Sequence, residues 1–173
     1  MARSTSPIRI RVASGEPLTE SNEIAQDRGS RRRAKSIRFW LRAGTKDNPW
    51  KLKTPPGTSE FEAYRDEQSD PPALVVQVGS TQLRYQLRCI DDLHKMLLAH
   101  GDWILLGSAD EQKPAAAGTI EAWGRSPKNA VGGWYGLKKG YRGRFGMYVP
   151  PVLKKLGLAE VEENARNNRM RAI

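Results

Sequence analysis

The sequence predicts an α+β fold: an antiparallel sheet with a packed helix over residues 36–106, followed by a small basic region that ends in a helix and a β-hairpin. Three observations predict it. Apolar residues recur with a period of two in several short runs between Ile37 and Leu87. A helical spacing of Leu93, Met96, Leu97 and His100 then follows two aspartates. Last, Pro150-Pro151, Gly157 and an asparagine-rich cluster punctuate the C-terminal stretch. A period of two puts alternate side chains on opposite faces of a strand, whereas steps of three and four gather them on one helix face.

Ile37, Phe39 and Leu41 alternate with Arg38, Trp40 and Arg42, which predicts a strand that Gly44 and Asn48-Pro49 break. Trp50-Lys51-Leu52-Lys53 alternates again, and Pro55-Pro56-Gly57 stops it. Phe61–Arg65 suits a strand or a helical turn, and Asp70-Pro71-Pro72 a loop. Leu74–Val78 and Thr81–Leu87 flank Gly79-Ser80, the pattern of a hairpin whose first turn residue needs positive φ. Asp91 or Asp92 is expected to cap the next helix, and Gly101 to end it. Trp103–Leu106 reads as a short buried run and Gly107–Gly118 as a connector. Thr119 caps a short helix through Trp123. Pro151 suits the first turn of the last helix, whose apolar face is Val152, Leu153 and Leu156, and Gly157 suits its end. Leu158–Glu162 and Arg169–Ile173 then read as strands around the turn-forming Asn164–Asn168.

Charge divides the chain. The net formal charge is +10, from 29 basic and 19 acidic residues. Residues 36–70 carry 6 of each sign, and residues 71–118 carry 4 basic and 5 acidic. Residues 119–173 carry 11 basic and 4 acidic. The domain reading follows: a flexible basic tail at 1–35 with Arg31-Arg32-Arg33, a neutral scaffold at 36–106, a connector at 107–118 and a basic region at 119–173. The basic region can share one domain with the scaffold. Such asymmetry points to a polyanionic partner for the C-terminal third, provided that its surplus cations gather on one exposed side.

No apolar run reaches the length of a membrane-spanning helix, and no apolar stretch follows the first basic residues. A cytoplasmic location is expected, on the nucleoid if the chain is bacterial, with no membrane partner. Cys89 is the single cysteine, so an internal disulfide framework is excluded. Cys89, His94 and His100 lack the spacing of a ligand set, and no metal or cofactor is expected.

The stretch from Gly124 to Gly146 interleaves glycines, cations and aromatic rings. Lysine and arginine neutralise phosphates, exposed rings stack on unpaired bases, and glycines let backbone N–H groups approach an anion. The same glycines allow rings to pack closely, so Trp123, Trp134 and Phe145 read as core. Lys138, Lys139, Tyr141, Arg142 and Arg144 are the contact candidates here. Gly136–Gly140 lacks the ending of a phosphate loop.

A helix, Leu156-Gly157-Leu158 and a hairpin with a basic tip resemble the end of a winged helix-turn-helix domain. The resemblance covers only this C-terminal stretch, and the glycine-rich segment upstream departs from the pattern. It implies that Lys154 and Lys155 lie on a groove-facing helix and that Arg166, Asn167, Asn168 and Arg169 form the wing. The sequence therefore favours a non-enzymatic nucleic-acid-binding protein, with double-stranded DNA preferred to RNA. One alternative is an interaction module for an acidic protein. The other is a metal-dependent nuclease built on Glu60 and Glu62, which share a strand face.

Overall fold

Alternation between apolar and polar residues builds the first layer, four antiparallel strands in the order β1-β2-β3-β4. They are β1 (Trp50–Lys53), β2 (Glu60–Asp66), β3 (Ala73–Val78) and β4 (Thr81–Gln86). The computed structural model describes residues 43–107, 109, 112–138 and 144–173. The chain divides into two units, Met1–Arg38 and Phe39–Ile173, and every described residue belongs to the second. The tail expected at 1–35 and the strand expected at 37–42 lie outside the described residues, as do Lys139, Tyr141 and Arg142.

Register sets the buried face of the sheet. Trp50 pairs with Ala63, Ala63 with Val76, and Val76 with Leu83, all of them buried. Residues 60–66 form a strand rather than a helical turn, because Phe61 and Ala63 both face this core. Gly79 has φ +54°, as the hairpin requires. The free edge of β4 is covered by residues 135–137: Gln86 N–H donates to Tyr135 O at 2.8 Å, and Leu137 N–H to Arg84 O at 2.9 Å.

The chain then makes α1 (Cys89–His100), β5 (Ile104–Leu105), α2 (Ile120–Trp123), α3 (Phe145–Lys155), β6 (Ala159–Val161) and β7 (Arg169–Ala172). The last three strands form an antiparallel sheet in the order β5-β7-β6. Helix α1 packs against α3 and β7. The cores of both sheets join in one apolar cluster running from Trp50 to Met170. No helix among the described residues is long and apolar enough to cross a membrane.

Two helix starts differ from expectation. Helix α1 begins at Cys89 with Arg88 at the cap position, and neither Asp91 nor Asp92 caps it. Both aspartates lie in the first turn, where the helix dipole favours negative charge. The buried Asp92 carboxylate instead accepts from Arg88 Nε at 2.7 Å and from the Tyr135 hydroxyl at 3.1 Å. Helix α3 begins at Phe145, not Pro151, so Pro150 and Pro151 lie inside it. Burial of Phe145, Gly146 and Val149 extends the helix backward past the prolines. The expected ends hold. At Gly157 (φ +70°), Leu158 N–H reaches Leu153 O and Gly157 N–H reaches Lys154 O, each at 3.0 Å, which is a Schellman motif.

Helix α3 also approaches β5 closely at Gly146. A Cβ there would lie 2.3 Å from the Leu106 carbonyl oxygen. Gly146→Ala is therefore expected to destabilise the fold by about 1–3 kcal/mol through overpacking. Urea unfolding at unchanged m value checks it.

Candidate nucleic-acid interface

The hairpin turn between β6 and β7 is built by asparagine. Asn164 N–H donates to Asn168 Oδ1 at 2.6 Å, and Asn168 Nδ2 returns a bond to Asn164 O at 2.8 Å. Asn167 takes φ +54°, a left-handed conformation that asparagine tolerates better than most residues. Leu106 N–H donates to Asn168 O at 2.9 Å and pins the turn to the end of β5. Arg166 is thereby held exposed at the tip.

Below the tip the cations are spoken for. Arg169 lies against Glu162, with Nη2 at 2.6 Å from Oε1, and its guanidinium stands 5.3 Å from the Trp103 ring. Arg171 pairs with Glu160 at 2.7 Å and also covers Trp103, at 4.8 Å. The bond to Arg169 holds the Glu162 carboxyl below its ordinary range. Lys154 pairs with Glu163 at 2.7 Å, while Lys155 is exposed with no ion pair among the described residues.

Arg144 precedes α3, and Lys154 and Lys155 end it, about 15 Å further along the axis at 1.5 Å per residue. Arg144, Met147, Tyr148, Pro151, Lys154 and Lys155 make one stripe by helical spacing. The middle of that stripe is covered. The Tyr148 ring meets Phe61 of β2 edge-on at 5.2 Å, and Pro151 is buried. At the C-terminal end of the stripe Lys154 and Lys155 are exposed.

Lys138 stands apart from this group. Its Nζ donates to Gln82 O at 3.2 Å, beside a polar groove of 730 Å³ that includes Arg65, Asp66 and Arg84. The surplus cations thus do not form one free patch among the described residues: carboxylates hold Lys154, Arg169 and Arg171, and Lys138 lies at a separate groove.

The rings of the glycine-rich stretch are core. Phe145 touches Tyr85, Trp123, Trp134 and Tyr135, with centroids 5.6–6.3 Å apart. Gly124 admits Phe145, since a Cβ there would lie 2.7 Å from the ring. Beneath them Glu121 is fully buried, with Oε1 2.8 Å from Arg125 Nε and Oε2 2.7 Å from Gly146 N. Burial pushes the Glu121 carboxyl up, and the Gly146 N–H and Arg125 pull it back. Burial also pushes the Cys89 thiol and the Tyr135 hydroxyl well up.

Glu60 pairs with Lys53 at 3.1 Å, and no three His, Cys, Asp or Glu side chains cluster to hold an ion among the described residues. Asp66 bonds to Arg84 at 2.7 Å, which holds its carboxyl below the ordinary range. A carboxylate depressed in the folded state contributes stability above its unfolded pKa and loses it as pH falls through the folded value. The urea midpoints of the wild type and Asp66→Asn are therefore expected to differ at pH 7 and to converge below about pH 4, where carboxylates titrate.

What faces the Asn164–Asn168 turn carries no signal in the sequence. Pro55 and Pro56 of the β1–β2 turn, Gly107 and Met147 share a 570 Å³ cavity with Arg144 and Arg166. No local signal links positions so far apart in the chain.

A family profile matches residues 42–173. The chain belongs to the family of unknown function DUF6855. The DUF6855 match takes in every strand and helix of the described residues and the Asn164–Asn168 turn. No curated protein and no solved structure matches the chain at a significant level.

Proposed function

We propose that the chain binds double-stranded nucleic acid, DNA in preference to RNA, without acting chemically on it. One observation carries the reading: the order α1-β5-α2-α3-β6-β7, with β7 central in its sheet. We read that order as a winged-helix arrangement, with the Asn164–Asn168 turn beside α3 in the role of the wing. The covered middle of α3 moves the contact away from helix insertion in a groove. The tip at Arg166 and the helix ends at Arg144 and Lys155 meet phosphates instead. Such contact is electrostatic and tolerant of base sequence.

Anisotropy of a labelled DNA duplex, a single strand and an RNA duplex, each at two salt concentrations, tests it. The DNA duplex is expected to bind most tightly and to weaken with salt. The double variant Arg166→Glu/Lys155→Glu is expected to lower affinity at every sequence and to flatten the log–log salt slope by about 2. Salt-independent binding, or unchanged binding by the double variant, contradicts the reading.

The packing of Phe61 on Tyr148 favours a second reading, an interaction module for an acidic protein. It expects a stoichiometric protein complex and no retardation of DNA at about 150 mM salt, where the Debye length is about 8 Å.

A further inference from the structure

We propose that the outer edge of β1 docks an extended acidic segment of another protein, which adds to the four-stranded sheet as a further strand. The proposal does not rest on the nucleic-acid reading, and it goes beyond the second reading by naming a surface and a mode of contact. Strand β1 ends the order β1-β2-β3-β4, and residues 135–137 cover the opposite edge at β4. Thr54 N–H donates to Ser59 O at 2.9 Å, and antiparallel pairs alternate from there. Leu52 and Trp50 therefore bond to Phe61 and Ala63, while the N–H and C=O groups of Lys51 and Lys53 point away from β2. Among the described residues no strand pairs with that edge. Its backbone groups are a ready template for strand addition.

Side chains choose the occupant. Lys51 and Lys53 are exposed on one face of β1, and Lys51 has no ion pair among the described residues. Lys53 meets Glu60 at 3.1 Å, an exposed pair that water weakens. Residues opposite each other on neighbouring strands stand side by side, so an incoming strand sets alternate side chains beside the two lysines. Carboxylates there are attracted. A second copy of β1 would set lysine against lysine, and the chain's own segment 37–42 carries Arg38 and Arg42 without an acid. The other face is apolar. Leu52 is half-buried, and so is Tyr148, whose ring meets Phe61 across from Leu52. The fitting segment therefore alternates acidic and apolar residues.

A blocked hexapeptide that alternates glutamate and valine is the probe. Its lysine–valine counterpart and an isomer that groups the glutamates ahead of the valines are the controls. Calorimetry gives the affinity, and hydrogen exchange of the isotope-labelled full chain gives the site. The alternating acidic peptide is expected to bind saturably and to slow exchange at the Lys51 and Lys53 amides, which then donate to the peptide backbone. Both controls are expected to bind at least about tenfold more weakly. Lys51→Glu, at an exposed position, is expected to weaken the acidic peptide at least about tenfold with an unchanged melting temperature. Absence of saturable binding overturns the proposal. So does equal affinity for either control, full affinity in Lys51→Glu, or unslowed exchange at both amides. Protection of both amides before peptide is added also overturns it. Protection that grows with protein concentration would assign the edge to a second copy, and protection that does not would assign it to the chain's own segment 37–42.

Discussion

Glu121→Ala is expected to destabilise the fold by about 3–5 kcal/mol, the cost of leaving a buried charge without its partner. Glu121 is fully buried, and the side chain of its partner Arg125 is only 7% exposed. Removal of the carboxylate strands the guanidinium and leaves Gly146 N–H without its acceptor. The loss spreads, because Arg125 also donates to Lys113 O at 2.9 Å and covers Trp134 at 5.9 Å. This one carboxylate therefore joins α2 to the start of α3 and to the connector. Glu121→Gln keeps an acceptor for Gly146 and is expected to lose less. The pH term has the opposite sign to that of Asp66. Burial raises the Glu121 pKa in the fold, so the folded state takes up a proton before the unfolded chain does. The Glu121 contribution is greatest below its unfolded pKa and declines as pH rises through the folded value. Urea unfolding of both variants across that range checks the size and the sign.

Phe145→Ala is expected to cost about 3–5 kcal/mol as well, by a different route. The ring has four aromatic neighbours, and it lies on the bare backbone of Gly124. Its loss leaves a void that these rigid rings cannot close. The near-ultraviolet circular dichroism is expected to collapse at temperatures where far-ultraviolet helix and strand signals persist. A variant that kept the wild-type near-ultraviolet signal and melted within about 1 kcal/mol of it would show that the cluster repacks freely.

The parts of the fold that were legible in the sequence are those set by neighbours in the chain. The β3–β4 hairpin follows from alternation around Gly79, and the helix ends follow from Gly101 and Gly157. The turn at Asn164–Asn168 was legible for the same reason. The start of α3 was not, because local proline chemistry favours Pro151 while the burial of Phe145 and Val149 is a tertiary effect. The glycine-aromatic stretch was ambiguous by nature. A glycine that admits a phosphate and a glycine that admits Phe145 look alike until the partner is known. Charge misled in a further way. Glu160, Glu162 and Glu163 sit close to the cations in sequence, but hairpin closure decides which of them they neutralise. Among the candidates the fold leaves Lys138, Lys155 and Arg166 exposed and without ion pairs within the described residues.

The most direct measurement is an amide-shift map of the full chain titrated with a short DNA duplex. Perturbations concentrated at Asn164–Asn168 and at the two ends of α3, and fading as salt rises, are the predicted result. Perturbations confined to the outer face of the four-stranded sheet, or none at low salt, would contradict the account.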